Sequence, residues 1–182
     1  MNGLKDTYNN EIKPQLKKEY KIENDFAVPM VKKIVVNVGA GEAVVNKKVI
    51  EKIQEQIELI TGQKTVVTKA RKSIAAYKIR KGLAIGVKVT LRGKKMYAFL
   101  EKLFKIVLPR LRDFRGIAHT AVDQHGNLNL GFTEQTIFPE IEYDKVDKLR
   151  GLEVTIVTST RNREHGKKLF ELLGVPFHKT DK

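Results

Sequence analysis

Hydrophobic positions recur along the chain with two different periods, which predict alternating helices and strands. A spacing of about four residues predicts helices over residues 4–20, 49–60, 96–111 and from 162 to the sequence LLGVP. Short β-branched or alternating runs predict strands over residues 32–39, 63–69, 84–93, 126–132 and 151–160. This order predicts one α+β domain over residues 1–182. Its sheet is mainly antiparallel, with helices packed on one face and the other face open.

Capping and breaking residues predict where these helices begin and end. Asn46 is expected to cap the start of the second helix and Gly62 its end. Pro14 predicts a break or kink in the first helix, and Pro109 is expected to weaken the last turn of the third. Gly174 supplies a stop signal for the last helix.

The first and third strands each alternate an apolar row with a polar row, so their side chains divide between two faces. If the strands pair, helices cover the apolar rows and the polar rows share the open face. The predicted open face displays Lys33, Asn37, Gln63, Thr65, Lys88, Thr90 and Arg92. Its charges suit phosphates, and its amide and hydroxyl groups suit bases and sugar hydroxyls. An ordinary solvent-exposed sheet is the alternative interpretation.

Charge supports a polyanionic partner for part of this surface. The 182 residues carry a formal net charge of +14, and residues 59–100 contain eleven Lys or Arg and no Asp or Glu. A domain this basic most often binds nucleic acid. Residues 134–147 instead hold five acids and one lysine. The aromatic residues Phe138 and Tyr143 are expected to be exposed among these acids, which favours a protein partner for this segment.

The connection between the second and third strands, KARKSIAAYKIRKG, fits neither a helical stripe nor a strand. We therefore predict a basic loop over residues 71–82 that leaves the sheet. A solvated surface, a membrane-binding arm and a nucleic-acid contact are all compatible with its composition.

Candidate catalytic chemistry is sparse. The chain has no cysteine and four scattered histidines, so no metal site and no cofactor are predicted. The sequence NVGAGEAVV resembles a dinucleotide-binding turn, but Val44 occupies the third glycine position, which favours a tight turn at Gly39 and Gly41. No nucleophile, base and orienting group are arranged together, so we predict that the chain is not an enzyme. An enzyme that uses this turn and a membrane-surface protein that uses the basic loop remain the alternatives.

Several long motifs resemble one family. ITGQKTVVTKARKSIAAYKIRKG, VTLRGKKMYAFLEKL, LRDFRG, FTEQTIFPEI and LGVPF are similar to the bacterial form of the fifth large-subunit ribosomal protein family, over essentially the whole chain. The resemblance implies a non-enzymatic, RNA-binding ribosomal protein of the cytoplasm. The implied partners are 5S rRNA, 23S rRNA, tRNA in the peptidyl site, other proteins of the central protuberance and a small-subunit head protein, with no membrane.

The resemblance also assigns three surfaces. It places 5S rRNA on the open face, at Asn37, Gln63, Thr65, Thr90 and Arg92, and on the N-terminal helix region. It places tRNA at the basic loop, through Arg71, Lys72, Ser73, Tyr77, Lys78, Arg80 and Lys81. It places the contact with the small-subunit head at residues 110–116 and 134–147, which we call the bridge segments. Their candidate residues are Arg110, Arg112, Phe114, Arg115, Glu140, Glu142 and Asp144.

Overall fold

A computed structural model of the protein describes residues 3–112 and 114–178. Helix α1 consists of Leu4–Thr7 and Lys13–Glu19 on either side of a π-helical segment, Tyr8–Ile12. Helix α2 is Lys48–Thr61, and α4 is Arg163–Leu172. Helix α3 runs through Gly93–Lys102, a second π-helical segment at Leu103–Val107, and Leu108–Arg110. The strands are β1 Val31–Gly39, β2 Val66–Lys69, β3 Ala84–Leu91, β4 Leu128–Phe132 and β5 Leu152–Thr158.

The five strands form one open antiparallel sheet in the order β2-β3-β1-β5-β4. The predicted α+β class is therefore confirmed. Strand β2 pairs antiparallel with β3, and Val66, Val67 and Thr68 lie opposite Lys88, Val87 and Gly86 respectively. The register shifts after Thr68, as in a β-bulge.

Helix α1 continues through Pro14, so of the two predicted alternatives, a break or a kink, the break is wrong. A proline ring clashes with the carbonyl four residues earlier and lacks the N–H that would bond to it. The π-helical segment ends just before Pro14, and the N–H of Lys13 donates to the carbonyl of Tyr8, five residues back. Helix α3 has the same arrangement before Pro109, where the N–H of Leu108 donates to the carbonyl of Leu103. A wider turn thus accommodates each proline inside its helix.

The chain divides into two compact units. Unit 1 consists of the described parts of Met1–Ile34, Arg92–Leu130 and Thr155–Lys182, and unit 2 of Val35–Leu91 and Gly131–Val154. In unit 1, α1 packs against α3. The Tyr8 hydroxyl, buried there, donates to the carbonyl of Pro29 at 3.0 Å. The loop at Gly126 approaches α4 so closely that a Cβ on Gly166 would lie 2.5 Å from the Gly126 Cα.

In unit 2, α2 packs against β3 with an apolar stripe. Ile53, Ile57 and Ile60 are almost completely buried, which stabilises the fold by about 1.5–3 kcal/mol for each side chain. The predicted end of α2 is confirmed, because Gly62 adopts a left-handed conformation with φ +62°. The Asn46 side chain accepts a hydrogen bond from the N–H of Lys48 at 3.1 Å, so it caps the start of the helix as predicted.

Candidate nucleic-acid interface

The alternation predicted for β1 and β3 is present in unit 2. On β3, Val87, Val89 and Leu91 are buried, whereas Lys88 is exposed and Thr90 is half-buried. These positions confirm that the polar side chains of β3 project from the face opposite to its buried apolar side chains. On β1 the half-buried Asn37 lies between the buried Val36 and Val38, so the polar row of that strand is confirmed as well.

The predicted orientation of the β2 side chains relative to the two faces of the sheet is wrong. The strand begins at Val66, so Gln63 and Thr65 precede it. Directly opposite residues of an antiparallel pair project from the same face. Val66 therefore shares the face of Lys88, and Val67 shares the buried face of Val87. Val66 is 58% exposed, and this apolar side chain takes the open-face position that the sequence analysis gave to Thr65.

Gln63 and Thr65 are instead hydrogen-bonded within unit 2. The Thr65 N–H donates to Oε1 of Glu58 at 3.0 Å, and the Thr65 Oγ1 accepts from Nε2 of Gln54 at 3.1 Å. Both partners are on α2. Gln63 donates its Nε2 to the carbonyl of Thr90 at 2.9 Å. These bonds hold the α2–β2 connection, and they leave the carbonyl oxygen of the Gln63 amide able to accept a further hydrogen bond.

The two remaining open-face candidates belong to unit 1. Lys33 is half-buried on the first part of β1. Arg92 is exposed and has extended backbone angles, φ −140° and ψ 164°, immediately before α3. Strand β3 thus ends one residue before Arg92, and Gly93 begins a helix rather than ending a strand.

The basic loop between β2 and β3 is a hairpin-like segment whose two limbs are joined by backbone hydrogen bonds. At its base the Ala70 N–H donates to the Leu83 carbonyl at 2.8 Å, and the Gly82 N–H donates to the Ala70 carbonyl at 2.9 Å. Further out, Ile74 and Ile79 exchange two backbone hydrogen bonds, of 2.9 and 3.1 Å. A short helical turn, Ala75–Tyr77, closes the tip.

All seven candidate residues of this loop are exposed. Tyr77 is 72% exposed at the tip. Ser73 has a structural contact, because its Oγ accepts a hydrogen bond from the N–H of Lys81 at 3.0 Å. The backbone pairing therefore fixes the path of the loop, while its cationic side chains remain in solvent.

The bridge segments divide between the two units. Arg110, Arg112 and Arg115 are exposed in unit 1 and Phe114 is half-buried there. Glu140, Glu142 and Asp144 are exposed in unit 2, as is Tyr143. The prediction of an exposed Phe138 is wrong, since its side chain is fully buried and packs edge-on against Phe132 with the ring centroids 6.2 Å apart.

An ion cluster at Arg150, which the sequence analysis missed, anchors the acidic segment in unit 2. The Arg150 side chain is only 7% exposed, and its Nε donates to Oε1 of Glu42 at 2.7 Å. Its Nη1 and Nη2 donate to the two carboxylate oxygens of Asp147, at 2.8 and 3.1 Å. Lys148 adds an ion pair with Glu42 at 3.0 Å, and Lys52 one with Asp147 at 3.4 Å.

Electrostatics in this cluster favour the charged forms of its members. Hydrogen bonds from Arg150 hold the pKa of Asp147 well below its usual range, and those from Arg150 and Lys148 lower the pKa of Glu42. The pKa of Arg150 is raised in turn, chiefly by its hydrogen bonds with Asp147. No local signal could have revealed the contact between Glu42 and Arg150, because these residues are 108 residues apart.

The glycine turn after β1 is part of the same cluster. The segment Gly41–Val44 forms a short 3₁₀ turn, and its Glu42 carboxylate binds Arg150 and Lys148. Gly39 and Gly41 do not have positive φ angles, and a Cβ on either would meet nothing within 4 Å, so the turn does not require glycine at these positions. The turn presents an acid that is already paired within the protein, which is unlike a phosphate-binding loop.

Residues 3–112 and 114–178 show neither a metal-binding cluster nor a membrane-spanning helix. Within these ranges no group of three or more His, Asp or Glu side chains could hold a metal ion. No helix in the same ranges is both long and apolar enough to cross a bilayer.

Comparison with known families identifies the chain. Residues 24–80 match the model of the family described as ribosomal protein L5, and residues 84–177 match the model of that family's C-terminus. The chain belongs to the ribosomal protein L5 family. The prediction from the motifs is therefore confirmed. The family is structural and non-enzymatic, which confirms the prediction that the chain is not an enzyme, and its members are cytoplasmic in the ribosome.

Similar proteins cover almost the whole chain. A protein named large ribosomal subunit protein uL5 from Desulfotalea psychrophila is 51% identical over 179 residues, which are 98% of this chain and 100% of the relative. Its namesake in Campylobacter jejuni subsp. doylei is 50% identical over 98% of this chain and 99% of the relative. The one in Geotalea daltonii is 51% identical over 97% and 99%.

Proposed function

We propose that the chain is a structural constituent of the large ribosomal subunit and that it binds 5S rRNA through its open face. Membership of the L5 family supports a ribosomal protein that associates with rRNA. The names of its relatives support the large subunit. The assignment of 5S rRNA to the open face depends on the side chains of that face.

The open face of unit 2 carries this proposal. Its described side chains on β1 and β3 include Asn37, Lys88 and Thr90, and none of these three is acidic. Val66 adds an apolar contact beside Lys88. A lysine can neutralise a phosphate, whereas amide and hydroxyl groups can bond to sugar hydroxyls and base edges. The same three positions offer no aromatic ring for stacking, which suits recognition of RNA shape and backbone.

The other surfaces have separate roles in this proposal. The basic loop contacts tRNA in the peptidyl site, since its exposed cations are held on a fixed backbone. The acidic bridge segment accepts a basic part of a small-subunit head protein, and the arginines of residues 110–116 contribute to the same bridge. The exposed carboxylates at Glu140, Glu142 and Asp144 support the second assignment.

Titration of 5S rRNA over a series of KCl concentrations tests the open face. Lys88→Gln is expected to flatten the dependence of log affinity on log salt by about 1, because one phosphate contact is lost. Asn37→Ala should weaken binding by about 1–3 kcal/mol without changing that slope, as expected for an uncharged contact to a base edge. The exposed Lys48 on α2 provides the matched control, Lys48→Gln. Binding by both open-face variants that equals the wild type would refute the assignment.

Neutralising the basic loop separates the two RNA surfaces. The triple change of Lys78, Arg80 and Lys81 to Gln should leave 5S rRNA binding within about threefold of the wild type, because no loop residue contributes to the open face. Ribosomes assembled with this variant should hold peptidyl-site tRNA more weakly. If the loop variant loses 5S rRNA and the Lys88 variant keeps it, the two surfaces have been assigned the wrong way round.

A further inference from the structure

Strand β2 forms one edge of the sheet, where a further strand can be added. The strand order places β2 outermost in the sheet of the described residues, with β3 on one side of it. Every second residue of an edge strand directs its N–H and C=O groups away from the sheet, and an extended chain can bond to them there. The strand has four residues and ends at the exposed Lys69. A segment that pairs here must therefore complement a positive charge.

A pocket opens beside this edge, on the side of the sheet that α2 covers. Its volume is about 380 Å³, and ligand sites commonly measure about 300–1,000 Å³. Strand β2 contributes Val67 to the lining, α2 contributes Ile50, and the start of β3 and the residue before it contribute Ala84 and Leu83. These side chains make the pocket suitable for an aliphatic group.

Adjacent residues of β2 thus offer apolar contacts on both faces of the sheet. Val67 lines the pocket, and Val66 is 58% exposed on the open face. A strand added beside β2 places its own side chains on the two faces in alternation. One set of these side chains would reach the pocket, and the other would lie beside Val66. The centre of such a segment should therefore carry β-branched residues, which have methyl groups for both contacts.

Charge defines the two ends of the segment. Lys64 precedes β2 and Lys69 ends it, and both are exposed. Residues 59–100 contain no Asp or Glu. The nearest preceding acid in the chain, Glu58, already accepts a hydrogen bond from the N–H of Thr65 at 3.0 Å. Acidic residues on either side of the apolar centre would match the two lysines, whereas basic residues there would be repelled.

We propose that the edge of β2 binds an extended segment of another protein by strand addition, with β-branched residues at the centre of that segment and acidic residues at both ends. In this mode of recognition the backbone hydrogen bonds supply affinity, and pockets for alternate side chains supply specificity. The apolar pocket favours a protein segment over RNA. This contact does not depend on the proposed binding of 5S rRNA, because the pocket and the outward backbone groups are not part of the open face.

A synthetic peptide tests the edge without any RNA. The probe is acetylated and amidated, with valine and threonine alternating at its centre and glutamates at both ends. In amide spectra of the full chain it should shift the signals of Val66, Val67, Leu83 and Ala84 in a saturable manner. A probe with lysines in place of the glutamates should bind at least about tenfold more weakly. Absence of saturable shifts at these amides would overturn the proposal.

N-methylated probes test the backbone pairing. Two probes carry the methyl group on successive central residues, so that each lacks one N–H donor. Because successive N–H groups of a strand point to opposite sides, one probe should lose binding and the other should bind within about threefold of the unmodified peptide. Equal loss or equal retention in the two probes would refute strand addition. Alanine in place of the valine that enters the pocket should weaken binding about three- to tenfold.

Charge-matched variants of the protein separate the edge from its general positive charge. Lys64→Gln with Lys69→Gln should weaken the acidic probe about three- to tenfold. Lys5→Gln with Lys18→Gln removes two exposed cations of α1 in unit 1 and should leave the affinity unchanged. Equal losses in both pairs would show a nonspecific charge effect and would refute the site. If the first pair weakens 5S rRNA but leaves the peptide unaffected, the edge contacts RNA and the inferred protein partner is wrong.

Discussion

Replacing Arg150 by methionine removes the centre of the ion cluster that holds the acidic segment. Methionine keeps a long unbranched side chain, so the change removes charge and hydrogen bonds more than volume. Asp147 and Glu42 then lose their shared cationic partner. Breaking a buried ion pair typically costs about 3–5 kcal/mol. The two carboxylates are 32% and 31% exposed, so water can solvate them, and we discount the expected loss to about 2–3 kcal/mol.

The effect of this substitution should depend on pH in a defined direction. The pKa values of Asp147 and Glu42 are lowered from their ordinary values of 3.8 and 4.5. A lowered pKa means that the stabilisation is fully present above the unfolded-state value and is lost as the pH falls through the folded-state value. The difference in unfolding free energy between wild type and Arg150→Met should therefore be constant from pH 6 to 8 and should shrink below about pH 4.

Urea denaturation measures this difference in unfolding free energy, and thermal denaturation measures the corresponding fall in melting temperature. At pH 7 the melting temperature of Arg150→Met should fall by about 4–12 °C, since 1 kcal/mol corresponds to about 2–4 °C in a chain of this size. Arg150→Lys keeps the charge but loses the bidentate geometry, and an intermediate loss is expected. The exposed Arg161 supplies the control, Arg161→Met, which should change stability by less than about 0.5 kcal/mol. A loss at Arg150 that is below 1 kcal/mol, or that persists unchanged at pH 3, would refute this account.

Two further predictions concern the packing of each unit. Gly86→Ala should lower the melting temperature by about 4–8 °C, because the added Cβ would lie 2.7 Å from the Val38 carbonyl oxygen. Gly131→Ala is the control and should have little effect, because a Cβ at this position has no neighbouring atom within 4 Å. Tyr8→Phe should cost about 1 kcal/mol at pH 8, through loss of the hydrogen bond to Pro29. Burial raises the pKa of Tyr8 from 10.0 to about 12, so this contribution should be present below pH 10 and should disappear as the pH rises toward 12. An absorbance titration that shows no late-ionising tyrosine in the wild type would contradict the second prediction.

Local periodicity was sufficient wherever a segment is long and has one buried side. The stripe of isoleucines at positions 53, 57 and 60 defined α2, and the alternation around Val87 and Val89 defined the two faces of β3. Burial of one side requires apolar residues at the period of the helix or strand, so the element and its buried side can be read directly from the sequence. Capping by Asn46 and Gly62 was also predictable from the sequence, because each capping residue is adjacent in the chain to the helix end that it stabilises.

Strand β2 shows where periodicity stops being informative. It has only four residues, and Val66 and Val67 are adjacent, so either facing satisfies the apolar pattern. Its pairing with β3 selects the facing, since Val67 can pack beside the buried Val87 only if Val66 projects with Lys88. The sequence analysis therefore assigned Thr65 to the open face, and the structure places it in hydrogen bonds to α2.

The sequence by itself determined the family, the α+β class, the charged surfaces and most of the residues that the proposals use. Each of these is encoded in composition, in continuous motifs or in short periods. Only the tertiary structure decided the register of β2, the pairing of Glu42 with Arg150 and the hydrogen bond from the N–H of Lys81 to Oγ of Ser73. These features depend on groups that are distant in the chain or on backbone hydrogen bonds. A backbone N–H donates whatever side chain its own residue has, so the pattern of side chains does not reveal such a bond.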